Sequence, residues 1–158
     1  MAEKSMVPTL YEWMGGMPAL HRLFQVFYFK VPHDETLSEV FAKIPPHHSE
    51  HVAAFVAEVL GGPKAYSGSL GGHAHMIQRH LGRSLTETQR HRWMDLLLEC
   101  VDEAGMPADP EFRSAFVAYL EWGTRIAVIN SQPGAKAPAE SPMPKWGWGE
   151  VGGPYTGK

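Results

Sequence analysis

The stretch at residues 86–105, TETQRHRWMDLLLECVDEAG, decides the fold of this chain. Thr86 and Gln89 have the spacing of a capping box, in which each side chain satisfies a backbone N–H group at the start of a helix. Apolar residues then recur at helical spacing from Trp93 onward, and Gly105 follows as a residue suited to end a helix. The stretch therefore predicts a long helix with one buried face.

Helical periodicity also occurs on both sides of this stretch, and no segment shows the alternating pattern of a strand. Upstream, Thr9 and Asp34 are candidate N-caps, and Pro18 suits the first turn of a helix. Downstream, Asp109 and Pro110 open the last helical pattern in the same way. We therefore predict an all-α protein with helices at about residues 9–15, 18–31, 34–44, 47–60, 73–81, 86–105 and 110–130, and an ordered loop at residues 64–72.

Length and composition are consistent with one compact domain. The chain has 158 residues, of which 44% are hydrophobic, and this is enough apolar material for a core. We place the helical domain at residues 1–132 and, at residues 133–158, an extension rich in glycine and proline that is predicted to be irregular.

The same composition argues against several classes of protein. No apolar run approaches the ~20 residues that a membrane-spanning helix needs. The formal net charge of −3 does not suit a protein that binds nucleic acid through bulk positive charge. Because no basic segment leads into an apolar one at the N-terminus, we expect no signal peptide and a cytoplasmic location.

The nine histidines are the unusual part of the composition, since the single cysteine, Cys100, cannot form a thiolate metal site alone. His47, His48 and His51 lie three or four residues apart, a spacing at which a helix presents two imidazoles on one face. However, Glu50 does not complete a His-Glu-x-x-His arrangement, and zinc needs three or four protein ligands. An exposed helix start is the simpler interpretation, and a histidine-rich helical zinc enzyme is the alternative.

His80 has different neighbours from the other histidines. Met76 and Ile77 precede it by four and three residues, so on a helix its imidazole shares a face with apolar side chains. Tyr28 and Trp93 occur on other apolar helix faces, and each carries a donor that needs a partner when buried. A histidine on an apolar face is usually a core residue, but beside two inward donors it also suits a flat apolar cofactor that carries a metal.

Together these residues resemble the group II truncated haemoglobins, and the resemblance covers nearly all of residues 9–132. It implies an all-α truncated globin fold, a two-over-two helical sandwich around haem with a short first helix and a proximal loop. The implied cofactor is haem b. The motifs that carry the resemblance are Gly15-Gly16, Phe27-Tyr28, Gly61-Gly62-Pro63 followed by Tyr66, Arg79-His80 and Arg92-Trp93.

The resemblance also implies roles for individual residues. His80 matches the proximal ligand of the haem iron, whereas Tyr28 and Trp93 match the donors of hydrogen bonds on the distal side. His48 falls at the position that opens the distal side, where it either meets the ligand or acts as a gate. Phe41 has no hydroxyl where many relatives have a tyrosine, which removes one distal donor. The predicted haem pocket contains Phe27, Phe41, Val52, Phe55, Met76, Ile77 and Leu97, and the candidate partners of the propionates are Lys64, Arg79 and Arg83.

The seven remaining histidines are then left without a functional role. We expect the surface to hold His21, His33, His47, His51, His73, His75 and His91.

The implied activity is reversible binding of O2 at a five-coordinate ferrous haem. Two neutral hydrogen bonds of ~0.5–1.5 kcal/mol each would slow O2 release by roughly one to two orders of magnitude, which suits an oxygen carrier poorly. We therefore expect a redox role, either NO dioxygenation or peroxide handling, with NO and CO as further ligands. Such a role needs a reductase, and the chain is expected to be a monomer or homodimer. A helical zinc enzyme without haem and a helical interaction domain are the competing hypotheses.

Overall fold

The computed structural model describes residues 7–45, 47–69, 72–136 and 141–149, and all regular secondary structure within these ranges is helical. The prediction of an all-α protein is therefore confirmed. None of the helices in the described ranges combines the length and apolar character that crossing a membrane requires. The helices are α1 (Leu10–Met14), α2 (Gly16–Lys30), α3 (His48–Val59), α4 (Ala65–Ser69), α5 (Gly72–His80), α6 (Glu87–Glu103) and α7 (Pro110–Ser131), with a 3₁₀ turn at Val31–His33.

The starts of α6 and α7 lie where capping residues predict them. The Thr86 hydroxyl accepts the N–H of Gln89 at 3.1 Å, and the Gln89 side chain accepts the N–H of Thr86 at 2.9 Å. The Asp109 carboxylate accepts the N–H of Phe112 at 2.9 Å and caps α7. Between α1 and α2, Gly15 has φ +110°, a left-handed conformation that lets one helix end and the next begin without a loop.

Two segments differ from the prediction. Asp34 caps residues 34–44 as predicted, since its carboxylate accepts the N–H groups of Thr36 and Leu37 at 3.1 and 3.0 Å. The segment nevertheless forms successive turns instead of a regular helix, because its backbone bonds span four residues at Ser38 and Phe41 but three at Ala42 and Ile44. The predicted loop after α3 contains the short helix α4. Residues 70–71 of that loop lie outside the described part of the chain.

The helices pack as two pairs around a buried core. α2 packs against α3, and α6 packs against α7, with further contacts from α2 to α6 and from α7 to α5. Phe24 and Phe27 of α2 and Phe112 and Phe116 of α7 are fully buried, and the two α7 rings stack with centroids 5.4 Å apart. This matches the predicted sandwich of two helices over two, and the pairs leave a cavity between them.

The extension is described at residues 133–136, which form a turn directly after α7, and at residues 141–149. The latter have no regular secondary structure but pack on the helical domain. The backbone N–H of Trp146 donates to the carbonyl of Val59, at the end of α3, over 2.8 Å. The remaining parts of the predicted extension, at residues 137–140 and 150–158, lie outside the described residues.

Candidate functional site

A cavity that opens to solvent lies among α2, α3, α5, α6 and α7. Its lining is mainly aromatic and aliphatic, with a few polar groups, which is the usual character of a small-molecule or cofactor site. The predicted site residues that line it are Tyr28, Phe41, His48, Val52, Phe55, Met76, Ile77, Arg79, His80, Arg83 and Trp93.

Three predicted site residues do not line this cavity. Phe27 and Leu97 are fully buried in the core. The Phe27 ring lies 4.9 Å from the Tyr28 ring and 5.6 Å from the Trp93 ring, so it supports two lining residues from behind. Lys64 is exposed, and the structure does not bring it to the cavity.

His80 ends α5 and presents one free ring nitrogen. Its Nδ1 atom lies 2.8 Å from the carbonyl oxygen of Met76, and because a carbonyl only accepts, Nδ1 carries the proton. Burial lowers the pKa of His80 below its ordinary value, which favours the neutral imidazole. In that form Nε2 has an available lone pair, as a metal-ligating histidine requires.

Tyr28 and His48 form a hydrogen-bonded pair between α2 and α3. The His48 Nε2 atom lies 2.9 Å from the Tyr28 hydroxyl oxygen. Burial raises the pKa of Tyr28, so its hydroxyl stays protonated. Burial, reinforced by the nearby Arg79 guanidinium, lowers the pKa of His48 to about 4. The pair is therefore neutral at pH 7, and the Phe41 ring packs beside both rings at 5.6 and 6.0 Å.

Trp93 adds a second donor from α6. Within the part of the chain that the structure describes, no protein group accepts its indole N–H. Since the ring lines the cavity, this N–H is free to donate to a ligand there.

The residues present fit haem. The cavity is apolar, and His80 offers a neutral imidazole with a free Nε2 atom. Arg79 and Arg83 are exposed residues that also line the cavity, where they suit the two carboxylates of a haem. The Arg83 Nε atom donates to the backbone carbonyl of Arg79 at 2.7 Å, which holds the Arg83 side chain against the turn of chain that carries Arg79.

The sequence analysis did not assign the residues of one cavity wall to the site. Tyr119, Trp122 and Ile126 of α7 line it, as do Leu37 and Ile44 of the turn segment. Their spacing of three or four residues within α7 was visible in the sequence, but the same spacing is typical of ordinary core residues.

His73 does not lie on the surface, where it was predicted. It is half-buried and lines the cavity, and its Nδ1 atom lies 3.0 Å from the Ser141 hydroxyl of the extension. The sequence carried no signal for this contact, because the two residues are 68 positions apart.

The zinc hypothesis finds no support. Across residues 7–45, 47–69, 72–136 and 141–149, no three or more His, Cys, Asp or Glu side chains are grouped so that they could hold a metal ion.

The sequence and the fold are similar to those of known globins. A model of the family described as bacterial-like globin matches residues 9–123. The fold is similar to that of the group II truncated hemoglobin from Bacillus anthracis, with a TM-score of 0.70 and 23% identity over 78% of this chain and 93% of that one. It is also similar to the truncated oxygen-avid haemoglobin from Bacillus subtilis, with a TM-score of 0.67 and 26% identity over 77% of this chain and 99% of that one. The group 1 truncated hemoglobin of Tetrahymena thermophila is 28% identical over 100 residues, which are 63% of this chain and 78% of that protein. The resemblance predicted from the sequence is confirmed.

Proposed function

Because this chain belongs to the bacterial-like globin family, whose members bind haem and O2, we propose that His80 ligates the haem iron and that the protein consumes O2 or peroxide instead of storing oxygen. One observation carries the proposal. A single apolar cavity brings His80, with its free Nε2 atom, together with the polar groups of Tyr28, His48 and Trp93 from three other helices.

When bound, haem supplies an iron with one open position for a diatomic ligand and a redox couple. His80 would hold it from α5, and Arg79 and Arg83 would pair with its propionates. Lys64 is left out of this role because it does not line the cavity. We propose haem b, the form without thioether bonds, since the one cysteine of the chain, Cys100, is buried in the core and does not line the cavity.

The polar groups of the cavity favour a ligand that carries negative charge. Tyr28 keeps its hydroxyl proton, and Trp93 has a free N–H, so both are donors. O2 becomes partly negative when it binds, and it therefore gains more from these donors than CO does. At ~0.5–1.5 kcal/mol each, the two bonds slow O2 release by roughly one to two orders of magnitude. The likeness to a haemoglobin described as oxygen-avid supports this step.

Slow release favours reaction over delivery. In NO dioxygenation, nitrate would take its nitrogen and one oxygen atom from NO and its other two oxygen atoms from O2, with one electron supplied by the reduced haem. Each turnover therefore requires one electron from a separate reductase, which we propose as the partner. The role of Tyr28 and Trp93 is to retain O2 in the cavity until NO arrives.

The ligand assignment is tested by the visible spectrum of His80→Ala. We expect this variant to lose haem or its five-coordinate ferrous spectrum, and added imidazole to restore the spectrum by replacing the missing ring. His91→Ala, an exposed histidine of α6, is the control and should match the unchanged protein. Normal haem content and spectrum in His80→Ala would falsify the assignment.

The reaction is tested by mixing the oxygenated protein with NO. We expect about one nitrate for each haem, formed faster than O2 dissociates. Rapid, reversible O2 release without nitrate formation would instead indicate an oxygen carrier.

A further inference from the structure

Residues 141–149, here named the strap, lie beyond the part of the chain that the globin family model matches. Trp146 and Trp148 tie the second half of the strap to the helical domain. The Trp146 backbone N–H donates to the Val59 carbonyl at 2.8 Å, and the Trp148 indole N–H donates to the Pro8 carbonyl at 2.7 Å. The strap therefore crosses from the end of α3 to the residues that precede α1.

Trp146 lies behind one wall of the cavity. Its ring centroid is 5.9 Å from that of Tyr119 and 5.7 Å from that of Trp122. Both of these α7 residues line the cavity. The indole thus forms a second layer that supports the α7 wall from outside.

Ser141 connects the strap to α5. Its hydroxyl oxygen lies 3.0 Å from the Nδ1 atom of His73, in the first turn of this helix. Within the described residues of α5, Ile77 is the one buried residue, so the helix gains little stability from its own apolar contacts. The same helix carries His80 at its last position.

We propose that the strap positions the proximal helix, with Ser141 and Trp146 holding α5 and the α7 wall so that His80 stays in place and haem is retained. This inference rests on the proposed role of His80. Neither strap residue lines the cavity, so each acts through a neighbour: Ser141 through His73 and Trp146 through Trp122.

The test uses the full-length, haem-loaded protein with Trp146→Ala and, as a milder change, Ser141→Ala. Trp122 lies against His73 of α5, with ring centroids 6.5 Å apart, so losing the contact of Trp146 with Trp122 also weakens the support of α5. We therefore expect amide hydrogen exchange in residues 72–80 to rise about tenfold in Trp146→Ala, with a smaller rise in Ser141→Ala. Transfer of haem to an excess of apomyoglobin should accelerate in the same order. Lys145→Ala, an exposed neighbour in the strap, should change neither rate, and Trp146→Phe should recover most of the protection.

Two results would overturn the proposal. One is faster exchange confined to residues 141–149, with residues 72–80 unchanged, which would mean that the strap loosens without affecting α5. The other is an unchanged rate of haem transfer in both Trp146→Ala and Ser141→Ala. The spectrum of His80→Ala tests the ligand independently, so failure of the strap proposal leaves the ligand assignment standing.

Discussion

The Tyr28 hydroxyl oxygen and the His48 Nε2 atom lie 2.9 Å apart, and this hydrogen bond joins α2 to α3 at the wall of the cavity. A tyrosine hydroxyl has one donor and two acceptor sites. Tyr28 can therefore accept a hydrogen bond from His48 while donating its own proton to a ligand. The pair fixes the position of the hydroxyl before a ligand arrives, which reduces the entropy lost on binding.

Tyr28→Phe should release O2 faster than the unchanged protein. The substitution keeps the ring but removes one neutral hydrogen bond, so we expect a rate about three to ten times higher by stopped-flow spectroscopy. CO release should change less, because CO carries less negative charge. Tyr11→Phe is the matched control, since the Tyr11 hydroxyl binds the N–H of Met17 and does not line the cavity. Equal O2 release in Tyr28→Phe and Tyr11→Phe would contradict the distal role of Tyr28.

Trp93→Phe should have a similar effect by a separate route. The phenyl ring keeps most of the packing against Phe27, whereas the indole N–H is lost, and we again expect O2 release to accelerate about three to ten times. Trp13→Phe makes the same chemical change outside the cavity, where the Trp13 indole donates to Asp109 at 2.9 Å. If O2 release from Trp93→Phe stays within error of this control, Trp93 is not a distal donor.

His48 should make the free energy of unfolding depend on pH in acid. Its pKa is about 4 in the folded chain because burial disfavours the charged imidazole, against an ordinary value of 6.5. Between these two values the unfolded chain binds more protons, so folding becomes less favourable as the pH falls and regains stability as it rises. His51, Arg79, Arg83 and His80 lie near enough to oppose a positive charge on His48.

His48→Leu should remove this part of the pH dependence. We expect the difference in unfolding free energy between the variant and the unchanged protein to shift by about 1 kcal/mol per pH unit between pH 6 and pH 4.5. Urea titrations at several pH values measure it, and His21→Leu, at an exposed position of α2, serves as the control. A difference that does not vary with pH would show that His48 is not held neutral by the fold.

Much of the site could be predicted because its main residues belong to short, local patterns. The capping box at Thr86 and Gln89 sets the start of α6 and thus the register that brings Trp93 to the cavity. Likewise, His80 follows Met76 by one helical turn, and this spacing allows the hydrogen bond that orients its ring. In both cases the deciding contacts lie within a few residues along the chain.

The contacts that could not be predicted join residues far apart in sequence and follow no periodic pattern. Trp146 lies in a segment without helical spacing, yet its backbone N–H binds the carbonyl of Val59 and its ring packs on Trp122. The prediction of a helix at residues 34–44 was wrong for a different reason. Asp34 caps the segment as expected, but the apolar spacing suits a helix and a series of turns equally, and the backbone bonds alternate between the two patterns.

Asp34 should therefore be a main source of stability for the turn segment. One carboxylate oxygen accepts the N–H groups of Thr36 and Leu37, and the other accepts the Arg92 Nε of α6. We expect Asp34→Ala to lower the free energy of unfolding by about 1–2 kcal/mol, since it removes both backbone bonds and the ion pair. Asp34→Asn keeps an acceptor for the backbone but loses the charge, so its effect should be smaller.

Urea titration measures both variants, with Glu35→Ala at the exposed neighbouring position as the control. If Asp34→Ala and Glu35→Ala unfold at the same urea concentration, the turns are held by their apolar contacts with the cavity wall and not by Asp34.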